Sequence, residues 1–149
     1  MNPAIVIPSY WSNEVRLGES GSVACYDHAT PIDTPAPQLA DCLKSLEQVA
    51  GLGSVIILVV ASPDVEERAV HRVSDIAAAS GLPDVVIVDS FKAAGLRDQY
   101  AHMLPAELSG AIGLVGYGAV RNLGLLACCA LGCDVAVFID DDEVVLDPE

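Results

Sequence analysis

The run SVIILVV, residues 54–60, limits the possible folds of this chain more than any other feature. It is apolar throughout and rich in β-branched residues, and it does not alternate apolar with polar side chains. A strand of this kind is buried on both faces, which is typical of the centre of a parallel sheet. Because parallel strands are joined by crossover connections that usually contain helices, we expect helices on both faces of such a sheet.

Three other short apolar runs are predicted strands: AIVIPSY at residues 4–10, DVVIVDS at 84–90 and VAVFI at 135–139. The first is expected to stop at Pro8, since proline lacks the N–H that a central strand needs. The predicted helices cover residues 37–49, 62–80 with Ser62 as N-cap, one or two short segments within 91–115, and 119–132. Strands and helices alternate four times. We therefore predict a single α/β domain over residues 1–149, a three-layer α/β/α sandwich with a mostly parallel, Rossmann-like sheet, in which residues 11–37 form a long loop or insertion.

Composition excludes several kinds of partner. The chain has a formal net charge of −14 and only 7 Lys and Arg residues, which argues against binding to nucleic acid or to an anionic membrane surface. No apolar run is long enough to cross a membrane, and the N-terminus lacks the pattern of a signal peptide. Of the 5 cysteines, Cys128, Cys129 and Cys133 are clustered in one apolar helical stretch. This clustering indicates buried free thiols and predicts a cytoplasmic protein.

The segment FIDDDE, residues 138–143, places several carboxylates directly after a predicted strand. Ligands of open α/β sheets bind beyond the carboxyl ends of the strands, so this segment lies at the expected ligand edge. Neighbouring carboxylates repel each other by about 4 kcal/mol per close pair, unless solvent or a cation screens them. Oxygen ligands of this kind suit Mg²⁺ or Mn²⁺. If the strand geometry continues past Ile139, Asp140 and Asp142 share one side while Asp141 points to the other. A solvated strand end is the alternative interpretation.

Two other acidic sites fit this pattern less well. Haloacid-dehalogenase-like phosphatases have two aspartates one residue apart after an apolar strand, and residues 138–145 match that pattern. In that family, however, the motif opens the domain and the remaining catalytic groups follow it. Receiver domains gather aspartates at strand ends and need an acidic pair after the first strand, where this chain has Pro8, Ser9 and Tyr10.

The order of the segments resembles the N-terminal, nucleotide-binding half of the family 2 glycosyltransferases, which have the GT-A fold. AIVIPSY is similar to the first strand of that family, which ends in proline, a hydroxyl residue and tyrosine. The segment GYGAVRNLGLLACCALGCDVAVFIDDDE is similar to the family's helix with an Arg-Asn pair, followed by an apolar strand and the Asp-x-Asp motif. The predicted helix at 37–49 stands where the family has its first helix. Together these segments cover most of the chain.

The resemblance implies a nucleotide-sugar donor, a divalent metal ion (Mn²⁺ or Mg²⁺) and a set of residues that hold them. The residues that would contact the nucleotide are Pro8, Ser9, Tyr10, Gly118, Arg121, Asn122, Asp140 and Asp141. Asp142 would bind the metal together with Asp140. Independently of the resemblance, an arginine in the first turn of a helix, as Arg121 is predicted to be, favours an anionic ligand.

The chain departs from the family in three places. Val60 and Ala61 stand where the family has an acidic pair that contacts the base, so the base and the sugar are not predicted. The 11–37 loop contains Asp27, His28 and Asp33 and is a candidate lid over the donor. The general base of the family lies in an acceptor half that would follow Glu149.

These departures lead to three functional hypotheses. The first is the donor-binding part of a metal-dependent glycosyltransferase, inactive alone, that acts in cell-wall or surface polysaccharide synthesis. The second is a catalytically inactive nucleotide-binding or assembly module, and the third is a phosphatase-like acid site. Under the first hypothesis, the chain would expose the apolar face on which an acceptor half docks, and we therefore also predict self-association.

Overall fold

The computed structural model describes residues 1–13 and 29–147. Its strands, in chain order, are β1 (Pro3–Ser12), β2 (Thr30–Pro31), β3 (Ser54–Ala61), β4 (Val85–Val88) and β5 (Val135–Phe138). Its α-helices are α1 (Gln38–Leu46), α2 (Glu66–Ala79), α3 (Ser90–Tyr100) and α4 (Tyr117–Ala130). Two short 3₁₀ segments, Ala101–Met103 and Ala106–Ala111, lie between α3 and α4.

The strands form one sheet in which every pairing is parallel. β1 lies next to β3, and β4 pairs with the other side of β3. On the opposite side of β1, β5 pairs with residues 3–6 and the two-residue β2 pairs with residues 11–12. The four predicted strands and their parallel arrangement are confirmed. The short strand β2 was not predicted, because two residues carry no readable periodicity.

Helices cover the two faces of the sheet. Side chains of β1 and β3 alternate between the faces, as in any strand. On one face, Ile7 and Ile57 pack with buried residues of α1 and α2. On the other face, Val6 and Ile56 pack with buried residues of α3 and α4. The molecule is therefore α/β with helices on both faces of a parallel sheet, an architecture compatible with a Rossmann-like fold.

The predicted end of the first strand at Pro8 is wrong, since β1 continues to Ser12. The backbone hydrogen bonds explain why proline is tolerated there. Ile139 donates its N–H to the Val6 carbonyl and Ile32 donates to the Ser12 carbonyl, so the even-numbered residues of β1 direct their backbone groups toward β5 and β2. Pro8 is one of these residues, and it lies in the gap where β5 has ended and β2 has not begun. No ladder hydrogen bond is lost.

Several predicted helix boundaries also differ. Ser62 is not the N-cap of α2, because a turn closed by the Val65 N–H and the Ser62 carbonyl precedes the helix. The segment 91–115 contains α3, which is longer than predicted because Asp89 caps it at the end of β4. The last helix begins at Tyr117, two residues before the predicted start, because Gly116 takes a positive φ of 90° immediately before it.

The described part of the 11–37 loop is fastened to α2. Arg68 pairs with Asp33, and Arg72 donates to the Thr34 carbonyl while it stacks over the Trp11 ring at 5.9 Å. The other two residues singled out in the predicted loop, Asp27 and His28, lie outside the described residues.

The cysteines that the structure describes are free thiols, as predicted. Cys42 and Cys128 are buried, whereas Cys129 is exposed, so the expectation of buried thiols holds for only part of the cluster. Among residues 1–13 and 29–147, no helix is long and apolar enough to cross a membrane.

Candidate functional site

The polar residues singled out in the sequence meet at the point where the strand order reverses. From β1 the chain adds β3 and then β4 on one side, and later returns to place β5 on the other side of β1. In open α/β sheets, ligands bind at this reversal, beyond the carboxyl ends of the two strands concerned. Ser9 and Tyr10 are among the last four residues of β1, past the part that pairs with β5, and Asp140–Asp142 follow β5. We call this region the switch-point site.

Two linked hydrogen bonds, one buried and one partly buried, join β1 to the turn after β5. The Ser9 hydroxyl donates to the Asp141 carboxylate at 2.7 Å and accepts a hydrogen bond from the indole N–H of Trp11 at 2.9 Å. Ser9 and Trp11 are almost fully buried, with 0% and 2% of their surface exposed. The indole thus orients the hydroxyl, and the hydroxyl fixes one oxygen of Asp141 in place.

The condition under which Asp140 and Asp142 were expected to share one side, a strand that continues past Ile139, is not met. β5 ends at Phe138, and the aspartates lie on a turn in which the Glu143 N–H donates to the Asp140 carbonyl at 3.1 Å. The Glu143 carboxylate also accepts the Asp140 N–H at 2.9 Å. Asp140 and Asp142 are exposed, and only Asp141 points inward.

The inward position of Asp141 has an electrostatic consequence. Burial raises the pKa of the Asp141 carboxyl to about 6, and the negative charges of Asp142 and Asp140 add to this increase. The hydrogen bond from Ser9 opposes the increase, since it stabilises the ionised form. We call residues 140–143 the acidic turn. A cation bound near it would stabilise the ionised form of the Asp141 carboxyl.

The opposite face of the same strand ends carries aromatic rings and an arginine. Tyr10 stacks with Tyr117 at the start of α4, with ring centroids 6.4 Å apart and planes inclined by 12°. The Arg121 guanidinium lies 5.3 Å from the Tyr117 ring centroid and 5.5 Å from the Phe138 ring centroid. Arg121 is exposed, and no ion pair joins it to a carboxylate of the described residues. Two rings thus hold its charge at the site while its N–H groups remain available.

The predicted place of Arg121 in the first helical turn needs correction. Because α4 begins at Tyr117, Arg121 begins its second turn. It is held near the strand ends by the close packing of α4 on the sheet at Gly124. A Cβ atom at Gly124 would lie 2.7 Å from Cγ1 of Val6 and 2.9 Å from Cε1 of Phe138. Only glycine allows this approach.

Gly118 and Asn122, which were also predicted to contact a nucleotide, have different surroundings. A Cβ atom at Gly118 would meet no other atom within 4 Å, so the packing does not require glycine there. The Asn122 amide donates to the Ala111 carbonyl at 2.8 Å and ties α4 to the segment before it. Asn122 therefore has a structural role at the rim of the site.

The donor set of the acidic turn can be compared with the needs of a divalent metal. Among the described residues, no three His, Cys, Asp or Glu side chains converge at distances that would hold an ion. The turn offers only carboxylate oxygens, which Mg²⁺ and Mn²⁺ accept. Mg²⁺ commonly binds to one or two carboxylates and completes its shell with water and phosphate oxygens. The exposed carboxylates of Asp140 and Asp142 fit that mode of binding.

Sequence reasoning missed four residues of the site. Trp11 follows the predicted first strand directly and was assigned to the 11–37 loop, and Phe138 was assigned to the predicted fourth strand. Tyr117 and Gly124 lie in the segment that carries Arg121. The signal that would have found the aromatic residues is their position within two residues of Ser9, Gly118 and Asp140.

The fold and the site together define an α/β protein with polar and aromatic side chains at the switch point of a parallel sheet. Comparison of the chain with protein-family models, with curated proteins and with solved structures gave no match.

Proposed function

We propose that the switch-point site binds a nucleotide-sugar together with Mn²⁺ or Mg²⁺, and that the chain is the donor-binding part of a metal-dependent glycosyltransferase of GT-A type. The observation that carries this proposal is the convergence of three separate sequence segments at one place. The Ser9–Asp141 hydrogen bond of 2.7 Å joins the first segment to the third, and the Tyr10–Tyr117 stack joins the first to the second. All three lie within two of the segments in which the sequence resembles family 2 glycosyltransferases, AIVIPSY and GYGAVRNLGLLACCALGCDVAVFIDDDE.

The aromatic and basic side of the site supports binding of the nucleotide portion. Tyr10 and Tyr117 place two aromatic rings at the site, and nucleobases bind to proteins by stacking on such rings. Arg121 is one of only 7 basic residues in a chain of net charge −14, and the rings of Tyr117 and Phe138 fix its position. A guanidinium of this kind suits the oxygens of a diphosphate, because its N–H groups can bind two of them at once.

The acidic side of the site supports the metal. In this proposal the exposed carboxylates of Asp142 and Asp140 hold the ion. When bound, the ion neutralises the diphosphate and the charge that develops on the departing nucleoside diphosphate. Asp141, fixed by the Ser9 hydroxyl, accepts a hydrogen bond from the ribose. A highly negative protein thereby binds a negative ligand, because the cation and Arg121 both lie between them.

Calorimetric titration of the chain with nucleoside diphosphates tests the proposal. We expect one diphosphate to bind in the presence of Mn²⁺ and to bind much more weakly in its absence. Asp142→Asn is expected to weaken the Mn²⁺-dependent binding by about tenfold or more, because it removes a charged metal ligand. Asp75→Asn, on the exposed side of α2, makes the same change in net charge and serves as the matched control.

The result also separates the alternatives. Binding of a nucleotide-sugar without transfer of its sugar, even when an acceptor half is added, would favour a nucleotide-binding or assembly module. Binding of a phosphate analogue such as fluoroberyllate, with no preference for a nucleoside, would favour a phosphatase-like site. Equal binding by the Asp142→Asn and Asp75→Asn variants would contradict the role given to the acidic turn.

A further inference from the structure

The outer edge of β5 has unpaired backbone groups. Because Ile139 donates to the Val6 carbonyl, the odd-numbered residues of β5 direct their backbone groups toward β1. Ala136 and Phe138 therefore direct their N–H and C=O groups away from the sheet. Among residues 1–13 and 29–147, no strand pairs with this edge. An edge of this kind is a template for pairing with another strand.

The side chains along this edge are apolar and exposed. Val135 and Val137 are 39% and 46% exposed, although both belong to a strand. Val137 is in register with Ile5, whose side chain lies on the face that α1 and α2 cover. The helices therefore cover the β1 part of this face and leave the β5 part open. An added strand would bury the two valines as well as satisfy the backbone groups.

Negative charges stand at both ends of the same edge. Asp134 precedes β5 immediately, and the acidic turn with Asp140, Asp142 and Glu143 follows it; all four residues are exposed. A segment that pairs with β5 over its whole length must pass beside Asp134, whose charged carboxylate also accepts the Asn2 N–H at 2.7 Å, and beside the acidic turn. Lys or Arg side chains at the two ends of that segment would complement these charges, whereas Asp or Glu would be repelled.

The same charges disfavour a second copy of this chain as the occupant. In an antiparallel pair of two β5 strands, residues that direct their backbone groups outward must lie opposite each other, as Ala136 of one copy and Phe138 of the other do when the two-fold axis passes through Val137. Asp134 of each copy would then lie opposite Asp140 of the other, and two chains of net charge −14 would be joined at their acidic turns. Like charges directly across a strand pair are destabilising.

We propose that the open edge of β5 binds an extended segment of a basic partner protein by strand addition, with alternating apolar side chains over Val135 and Val137 and with Lys or Arg at both ends. This interaction does not depend on the proposed donor site. It uses the outer edge of β5, whereas the switch-point site lies at the carboxyl ends of β1 and β5.

Two capped peptides of alternating Val and Thr test the proposal, one with Lys pairs at both ends and the other with Glu pairs. The ¹⁵N-labelled chain is titrated with each, and amide hydrogen exchange is measured at Ala136 and Phe138. We expect the Lys peptide to slow exchange at both amides and to bind about tenfold more tightly than the Glu peptide at low salt, with the difference reduced at high salt.

Val137→Lys should weaken binding of the Lys peptide by about tenfold or more, because it places a positive charge on the outer edge of β5. The control is Phe91→Lys, which adds the same charge at an exposed position on α3, beyond the other end of the sheet. Unchanged exchange at Ala136 and Phe138 with about 1 mM of either peptide would overturn the proposal. So would equal affinity for the two peptides. Protection of these amides that grows with protein concentration alone would assign the edge to a second copy and overturn the assignment to a basic partner.

Discussion

Strands β4 and β5 are both followed by aspartates, but these aspartates have different surroundings. Asp89, after β4, accepts the Lys92 N–H at 2.8 Å and caps α3. Glu66 of α2 accepts the Ser90 N–H at 3.1 Å and supports the same helix start. After β5 there is no helix in residues 139–147, and Asp141 is instead turned into the protein beside Ser9.

The difference separates carboxylates that stabilise the fold from one that does not. A carboxylate at a helix start pairs with free backbone N–H groups and with the positive end of the helix dipole. Asp141 has one neutral hydroxyl donor, and its pKa is raised to about 6 by burial and by like charges. Its charged form is therefore costly in the folded protein, as is common where a side chain is kept for ligand binding. The four predictions below test this contrast.

The largest expected effect concerns the packing that brings α4 to the switch point. Gly124→Ala places a Cβ atom within 3 Å of the Val6 and Phe138 side chains, so either these side chains or the helix must shift. We expect a loss of about 2–3 kcal/mol in the free energy of unfolding, as for other overpacked core positions. Urea denaturation measures it. The control is Gly118→Ala in the same helix, where a Cβ meets nothing within 4 Å and higher helix propensity should stabilise by about 0.5–1 kcal/mol.

Asp141→Asn should stabilise the protein at neutral pH. The folded pKa of about 6 lies above the value of about 3.9 expected in the unfolded chain, so the folded state binds more protons between these values. Stability is therefore lost as the pH rises from about 4 to about 6, by up to about 3 kcal/mol. The asparagine variant should lack this loss, because its amide oxygen still accepts the Ser9 hydrogen bond without a charge.

Denaturation curves at pH 5 and pH 7.5 check this expectation. The variant should gain most over the unmodified chain at pH 7.5 and least at pH 5. A variant that is less stable at pH 7.5 would show that the Asp141 carboxylate supports the fold, and the contrast with Asp89 would then fail. Addition of Mn²⁺ to the unmodified chain should lower the pKa of Asp141, if the ion binds to the acidic turn as proposed.

Ser9→Ala tests the contrast from the other strand. It leaves the buried Trp11 indole N–H without its acceptor and Asp141 without its donor, which should cost about 1–3 kcal/mol. The pKa of Asp141 should rise further, because the bond that lowers it is lost. A ¹³C NMR titration of the carboxyl measures that shift. Ser74→Ala, where the hydroxyl only donates to the Val70 carbonyl one helical turn away, should have a much smaller effect on stability and none on Asp141.

The sequence predicted most of the strands and helices but not how they meet. The apolar run at β3 and the helical spacing of α1 are local patterns, and both elements formed as predicted. The position of β5 next to β1, and hence the switch point, depends on long-range pairing that no local pattern encodes. Pro8 illustrates the limit, since whether proline ends a strand depends on what lies beside it.

The candidate site was predictable to the same extent. Ser9, Tyr10 and the three aspartates were identified from their place at strand ends, and of these Ser9 and Asp141 are in contact. The inward turn of Asp141 was not predicted, because strand alternation was extended past Phe138, where the strand ends. Arg121 was identified from its charge in an acidic chain, but the two rings that hold it come from a different turn of α4 and from β5. Side-chain partners of this kind follow from packing and not from spacing.

The smallest expected effect is at Asp89, and it has the opposite sign to that at Asp141. Asp89→Ala removes the acceptor of the Lys92 N–H and should destabilise the protein by about 1 kcal/mol, the usual cost of losing an N-cap. Asp89→Asn keeps a side-chain oxygen at the same place and should change stability by only a few tenths of a kcal/mol. The two asparagine variants then differ only in location: the one at Asp89 should be nearly neutral and the one at Asp141 clearly stabilising at pH 7.5. If both were neutral, burial of Asp141 would carry no cost, and there would be no energetic reason to single out the acidic turn from the other acidic strand end.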